Sequence, residues 1–150
     1  RVLHGYAATV EGYNKMQSYG IGYDGSSGSG VLGGTISDAG YARLDEVCND
    51  PNQRKHIVKI WYKMSGNAMI HVGTDPGGAG HYVGYVSMQA GACGASIPMR
   101  LYNCLVSADV MYGSDLSWNT WYRWGAWGGG SVFFWLFPTG KANLWQNEKD

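Results

Sequence analysis

His71, Asp75 and His81 lie within one short stretch, HVGTDPGGAGH, and each carries lone pairs that a cation or a polar ligand could use. Two imidazoles and a carboxylate form an acceptable zinc set. His71 would close one strand and His81 open the next, so the two rings are expected side by side across a glycine-rich loop. Patterns this short often arise without function, so a polar ligand is expected there before a metal. Asp24, in GYDGSSGSG, offers an oxygen to calcium, but an aspartate among glycines and serines is first of all a turn-former. No metal or cofactor is expected.

Catalytic chemistry is poorly supplied. The glutamates are Glu11, Glu46 and Glu148, and the neighbours Asp45 and Glu46 would point to opposite faces of a strand. Two carboxylates so placed cannot flank one glycosidic bond. The serine of GYDGSSGSG lacks the strand before and helix after that a nucleophile elbow needs. No catalytic residue is expected.

The richest stretch is SWNTWYRWGAWGGGSVFFWLFPTG, residues 117–140. Trp118, Trp121, Trp124 and Trp127 recur every third residue, but Gly125 and the triple glycine 128–130 argue against a helix. Residues 118–127 and 131–137 read instead as two strands joined by a turn at Gly128-Gly129-Gly130. Trp118, Tyr122 and Trp124 then share one face, and Trp121, Arg123 and Trp127 the other. A hairpin apolar on both faces needs cover on both. The cover is the same domain, another subunit or a ligand. In the ligand reading, indoles stack on sugar rings while Arg123 and Asp115 bond the hydroxyls.

The elements that would hold these side chains are mostly strands. HIVKIWYKM, residues 56–64, alternates cleanly: Ile57, Lys59, Trp61 and Lys63 against Val58, Ile60, Tyr62 and Met64. Ser65-Gly66-Asn67 turns it into AMIHVG, and HYVGYVSM at 81–88 makes a further strand. Residues 1–10 read as a first strand, and 97–110 as one long strand or two joined at a bulge. Only DAGYARLDEVCND, 38–50, has a helical spacing, where a loop or a single turn fits equally well. The expectation is eight to ten strands with almost no helix, an all-β protein built as an antiparallel two-sheet β-sandwich or jelly roll.

Two stretches, 56–73 and 117–140, resemble the strands of concanavalin-A-like and laminin-G-like jelly rolls. The first is similar to that family's F-x-I-x-F-W-[YF] strand and its hairpin partner. The second is similar to its late W-x-x-[YWH]-[RHV] and V-x-[FL]-[YW] strands. The resemblance implies a sandwich that binds glycans or protein ligands, in some members through calcium, whose ligands cannot be placed in this sequence. In composition alone the chain also resembles receptor-binding tips of phage tail fibres and bacterial pilus adhesins.

Composition narrows the partners. With 11 basic and 11 acidic side chains and no basic run beyond Arg54-Lys55, a nucleic-acid partner is not expected. No apolar run is long enough for a membrane-spanning helix, so no membrane insertion is expected. A length of 150 residues suits one domain, here expected to be excised from a longer chain. The cysteines are Cys48, Cys93 and Cys104; either Cys93 and Cys104 close a short loop or all three are reduced. The expected function is an extracellular, cell-surface or virion-surface adhesin module that recognises carbohydrate on a glycosylated receptor. The alternative is a structural assembly domain whose aromatic faces pack against neighbouring subunits in a fibre or capsid; a homo-oligomer is a further expected partner.

Overall fold

The computed structural model describes residues 3–19, 30–64, 69–105, 110–114, 127–138 and 142–149. The protein is mostly β, and every strand pair among the described residues is antiparallel. The strands are β1 (Leu3–Ala7), β2 (Gly30–Thr35), β3 (Ile57–Lys63), β4 (Met69–Val72), β5 (Gly80–Ser87), β6 (Ile97–Cys104), β7 (Val110–Gly113), β8 (Trp127–Leu136) and β9 (Ala142–Lys149). They form a six-stranded sheet ordered β4-β3-β5-β8-β6-β7 and a three-stranded sheet ordered β1-β9-β2.

The alternating stretch 56–64 is β3, and it pairs with β4 as its hairpin partner. Ile60, Tyr62 and Met64 are buried, as their shared face requires. The stretch 97–110 holds β6 and the first residue of β7, and these two strands pair antiparallel rather than running on through a bulge.

The triple glycine is not a turn. Gly128–Gly130 lie inside β8, alongside β6, where Tyr102 pairs with Gly129 and Leu101 with Ser131. Gly130 is the extra residue of a β-bulge, and both Gly129 and Gly130 have positive φ. A Cβ on Gly129 would lie 2.9 Å from the Leu101 carbonyl oxygen, and one on Gly130 would lie 3.0 Å from the Tyr102 ring. Glycine is needed here for a strand irregularity that lets another chain segment approach closely.

Among the described residues three α-helices interrupt the strands. Helix α1 (Val10–Ser18) was not expected from the alternation of residues 1–10. Thr9 caps it by accepting from the Gly12 amide at 2.9 Å, and Glu11 and Lys15 match the helix dipole at opposite ends. Gly12 and Met16, one turn apart, form its buried stripe. Helix α2 (Asp38–Ala42) is capped by Ser37, and α3 (Pro51–Arg54) by Asp50 with proline at its first position. The spacing in 38–50 is therefore helical at its start, with a 3-10 turn over Leu44–Glu46.

The disulfide joins Cys48 to Cys93, while Cys104 is a buried free thiol. Pairing of Cys93 with Cys104 is thus excluded: Cys104 ends β6 inside a strand pair, and Cys93 sits in the turn before that strand begins. Arg54 donates to the Cys48 carbonyl and the Cys93 amide donates to Gln53 Oε1, so α3 sits against the bridge from both sides.

The main core gathers Tyr6, Met16, Ile60, Tyr62, Met99, Tyr112, Phe134 and Leu136. Tyr6 of β1 meets Tyr62 of β3 and Tyr112 of β7 edge-on, with ring centroids 5.6 and 5.4 Å apart. Tyr62 in turn donates its hydroxyl to the His4 carbonyl.

The six-stranded sheet has a seam. Between β5 and β8 a single residue pair is described, Ser87 with Trp135. The end of β2 spans this seam: Gly34 exchanges two backbone hydrogen bonds with Phe137, and Ile36 exchanges two with Tyr85. Thr35, between them, is fully buried.

Candidate ligand-binding face

A bulge in β5 sets a lysine and several aromatic rings on one surface. Lys59 pairs with Tyr85 and Trp61 with Tyr82, so two positions two apart on β3 face two positions three apart on β5. The extra residue turns Tyr82 and Tyr85 to the same side, which regular alternation forbids. Gly84 sits at this irregularity with φ of 151°, and a Cβ there would lie 2.8 Å from Thr35 Oγ1.

The Lys59 ammonium lies 4.9 Å from the Tyr82 ring centroid, 5.2 Å from that of Trp61 and 5.9 Å from that of Tyr85. Each distance is within cation–π range. Asp38, the first residue of α2, stands 3.7 Å from Lys59 and accepts the Tyr82 hydroxyl proton at 3.0 Å. Burial and the Asp38 carboxylate push the Tyr82 hydroxyl well above the usual phenol range. Burial also raises the Tyr85 hydroxyl, with Asp38 adding to it. Both stay protonated, and the Tyr82 proton is held by Asp38. Tyr41 of α2 stacks on Tyr85 at 3.9 Å with planes 4° apart, extending the aromatic surface.

Trp61 and Tyr82 also form one wall of a cavity of about 300 Å³. Its other walls are Thr9, Glu11 and Lys15 of the α1 segment, Asp75 of the glycine loop, and His81. Lys15 donates to the carbonyls of Gly78 and Gly80, which ties the helix to the start of β5. Asp75 accepts from the Gly77 amide at 2.8 Å, shaping its loop. His81 Nε2 lies 2.7 Å from the Tyr6 carbonyl oxygen, which can only accept, so Nε2 carries the proton. Burial lowers the His81 pKa and keeps the ring neutral.

No family model, curated protein or solved structure matches this chain.

The expected histidine pair does not form. His71 pairs with Trp61 and His81 with Tyr62, so β3 lies between the histidines and their rings face opposite sides of the sheet. Asp75 and His81 do meet at the cavity; His71 does not line it. Among the described residues no three metal-ligating side chains are grouped to hold a metal ion. Trp118, Trp121, Trp124, Arg123, Asp115 and Asp24 lie outside the described residues, and Trp127 begins β8 opposite Cys104.

Sequence reasoning passed over Lys59, Trp61, Tyr82 and Tyr85. Alternation had already placed Lys59 and Trp61 together on one face. The missing step was the β5 bulge, whose only trace in the sequence is Gly84 inside HYVGYV. Glu11 and Lys15 were missed with their helix.

Proposed function

We propose that this protein is an extracellular recognition module that binds carbohydrate on the face built by Trp61, Tyr82, Tyr85 and Lys59. The observation that carries this reading is one ammonium shared by three rings, with a carboxylate, Asp38, beside it. Rings supply flat apolar area for a sugar's axial C–H groups, gaining roughly 25 cal/mol per Å² removed from water. Lys59 and Asp38 supply donors and acceptors for hydroxyls at the rim of those rings.

In this reading the two sheets pack as an antiparallel sandwich of the jelly-roll kind, akin to concanavalin-A-like and laminin-G-like domains. The edge-on contacts of Tyr6 with Tyr62 and Tyr112 support such packing, because they join β1 to both halves of the larger sheet. The Cys48–Cys93 bridge supports a secreted or surface location, where disulfides persist. No helix among the described residues is long and apolar enough to cross a membrane.

A glycan array on the protein, followed by titration of the best ligand, tests the reading. Trp61→Ala is expected to weaken binding by about 2 kcal/mol or more, as an aromatic anchor does. Trp61 is only half-buried, so the melting temperature should change little. Absence of any glycan hit, together with an oligomer in solution that buries Trp61, would favour subunit assembly instead.

A further inference from the structure

We propose that the cavity between α1 and β5 is a selectivity subsite for a primary ammonium group, borne by an unacetylated amino sugar. This rests on the carbohydrate reading for the carrier of the ammonium, but not for the ammonium itself.

The cavity's polar atoms are unequally committed. Three of its donor groups are committed: Lys15 gives two protons to the Gly78 and Gly80 carbonyls, Tyr82 gives its hydroxyl proton to Asp38, and His81 gives its one to Tyr6. Its lone pairs are not. Glu11, exposed on the first turn of α1, has no hydrogen-bond or ion-pair partner among the described residues. Asp75 uses one oxygen on the Gly77 amide and keeps the other. Two carboxylates stand against one ammonium, and that ammonium is held on backbone oxygens. A ligand rich in donors and positively charged completes such a site; one rich in acceptors does not.

The aromatic wall points the same way. Trp61, the best cation–π partner among side chains, lines this cavity as well as the outer face. Neutral His81 adds no opposing charge. A cavity of about 300 Å³ is at the small end of ligand sites, enough for one sugar ring rather than a chain. The outer face beside it would then carry the following residues of the glycan.

The test is titration of the whole protein, at mildly acidic pH, with glucosamine, glucose, N-acetylglucosamine and the methylamide of Nα-acetyl-lysine. Glucosamine is expected to bind about tenfold tighter than glucose or N-acetylglucosamine, as one charge-assisted hydrogen bond would provide. Glu11→Gln, on an exposed helix position, should remove that advantage and leave the melting temperature in place. Equal binding of the three sugars, or an unchanged preference in Glu11→Gln, overturns the ammonium subsite and leaves the carbohydrate reading standing. Equal binding of the lysine derivative and glucosamine, with glucose excluded, confirms the ammonium subsite and removes the sugar as its carrier. No binding by any of the four overturns the subsite, and the array then decides the outer face separately.

Discussion

The hydroxyl of Tyr6 bridges both backbone polar groups of Tyr112. It accepts from the Tyr112 amide at 2.7 Å and donates to the Tyr112 carbonyl at 3.0 Å. Both rings are fully buried, and the Tyr112 hydroxyl accepts in turn from the Ile70 amide at 2.9 Å. Burial raises that second hydroxyl's pKa to about 12, so it stays neutral. One side chain from β1 thus satisfies the backbone of β7, whose own hydroxyl satisfies β4.

Tyr6→Phe is the sharpest test of this link. It keeps the edge-on ring packing and strands a buried amide and carbonyl, at a cost of about 2–4 kcal/mol. Chemical denaturation should register the loss as a lower midpoint with an unchanged slope. A midpoint within error of the parent would mean that water replaces the hydroxyl.

The Cys48–Cys93 bridge spans a sequence separation of 45 residues. Closing a loop of that length stabilises by about 4 kcal/mol in the chain-entropy account, or about 10 °C in melting temperature for a chain this size. Cys48→Ser with Cys93→Ser should show that loss. Peptide mapping without reduction should find Cys48 linked to Cys93, with Cys104 alkylated only after unfolding.

Gly84→Ala couples stability to binding. The new Cβ would meet Thr35 Oγ1 at 2.8 Å and the Ile36 carbonyl at 3.1 Å, at a φ that L-residues rarely adopt. Backbone strain of this kind costs about 1–3 kcal/mol. Because Gly84 lies at the bulge that turns Tyr82 and Tyr85 outward, glycan affinity should fall along with the melting temperature. Gly73→Ala also replaces a glycine of positive φ, but no atom lies within contact of its added Cβ. It should cost stability and spare binding.

Acid should weaken the fold through His81. Its pKa is lowered in the folded state, first by desolvation, against an ordinary value of 6.5. The unfolded chain therefore takes up this proton at higher pH than the folded one. Stability from this group is complete above the ordinary value and declines as pH falls from there toward the depressed native one. Denaturation midpoints measured on both sides of that window should separate, and His81→Gln should narrow the gap. An equal gap in the variant would assign the acid sensitivity to other groups.

Much of the larger sheet was legible from local pattern. Residues 56–64 set Val58, Ile60, Tyr62 and Met64 on one face and Ile57, Lys59, Trp61 and Lys63 on the other, and β3 and its partner β4 follow. What failed was whatever depended on contacts distant in sequence. Gly128–Gly130 satisfy every local rule for a hairpin turn, yet the strand runs on through them because the Leu101 carbonyl and the Tyr102 ring press on those glycines. Helix α1, capped by Thr9, was not read from the sequence, and Gly12 within it is a weak helix former. That glycine is explained by His81, whose ring would lie 2.7 Å from a Cβ there. The histidines followed the same logic: strands on opposite sides of β3 were joined by a loop that, in sequence, looked like a simple connection. Of the candidate site, the sequence supplied Lys59 beside Trp61, Asp75 and His81, and left their companions on β5 and α1 to be found in three dimensions.

The short span Gly34–Ile36 acts as a keystone. Force or heat pulling the β4-β3-β5 half of the large sheet from the β8-β6-β7 half meets one residue pair at the seam, Ser87 with Trp135. The remaining backbone connection described across that seam runs through Gly34 to Phe137 and through Ile36 to Tyr85. The two halves are plates of paired strands, riveted together by a strand that belongs to the other sheet and by the Ile70 amide bonded to the Tyr112 hydroxyl. Slow hydrogen exchange at the Gly34 and Ile36 amides, matched to that of both plates, is the signature of one cooperative unit; early release there lets the plates part before either one melts.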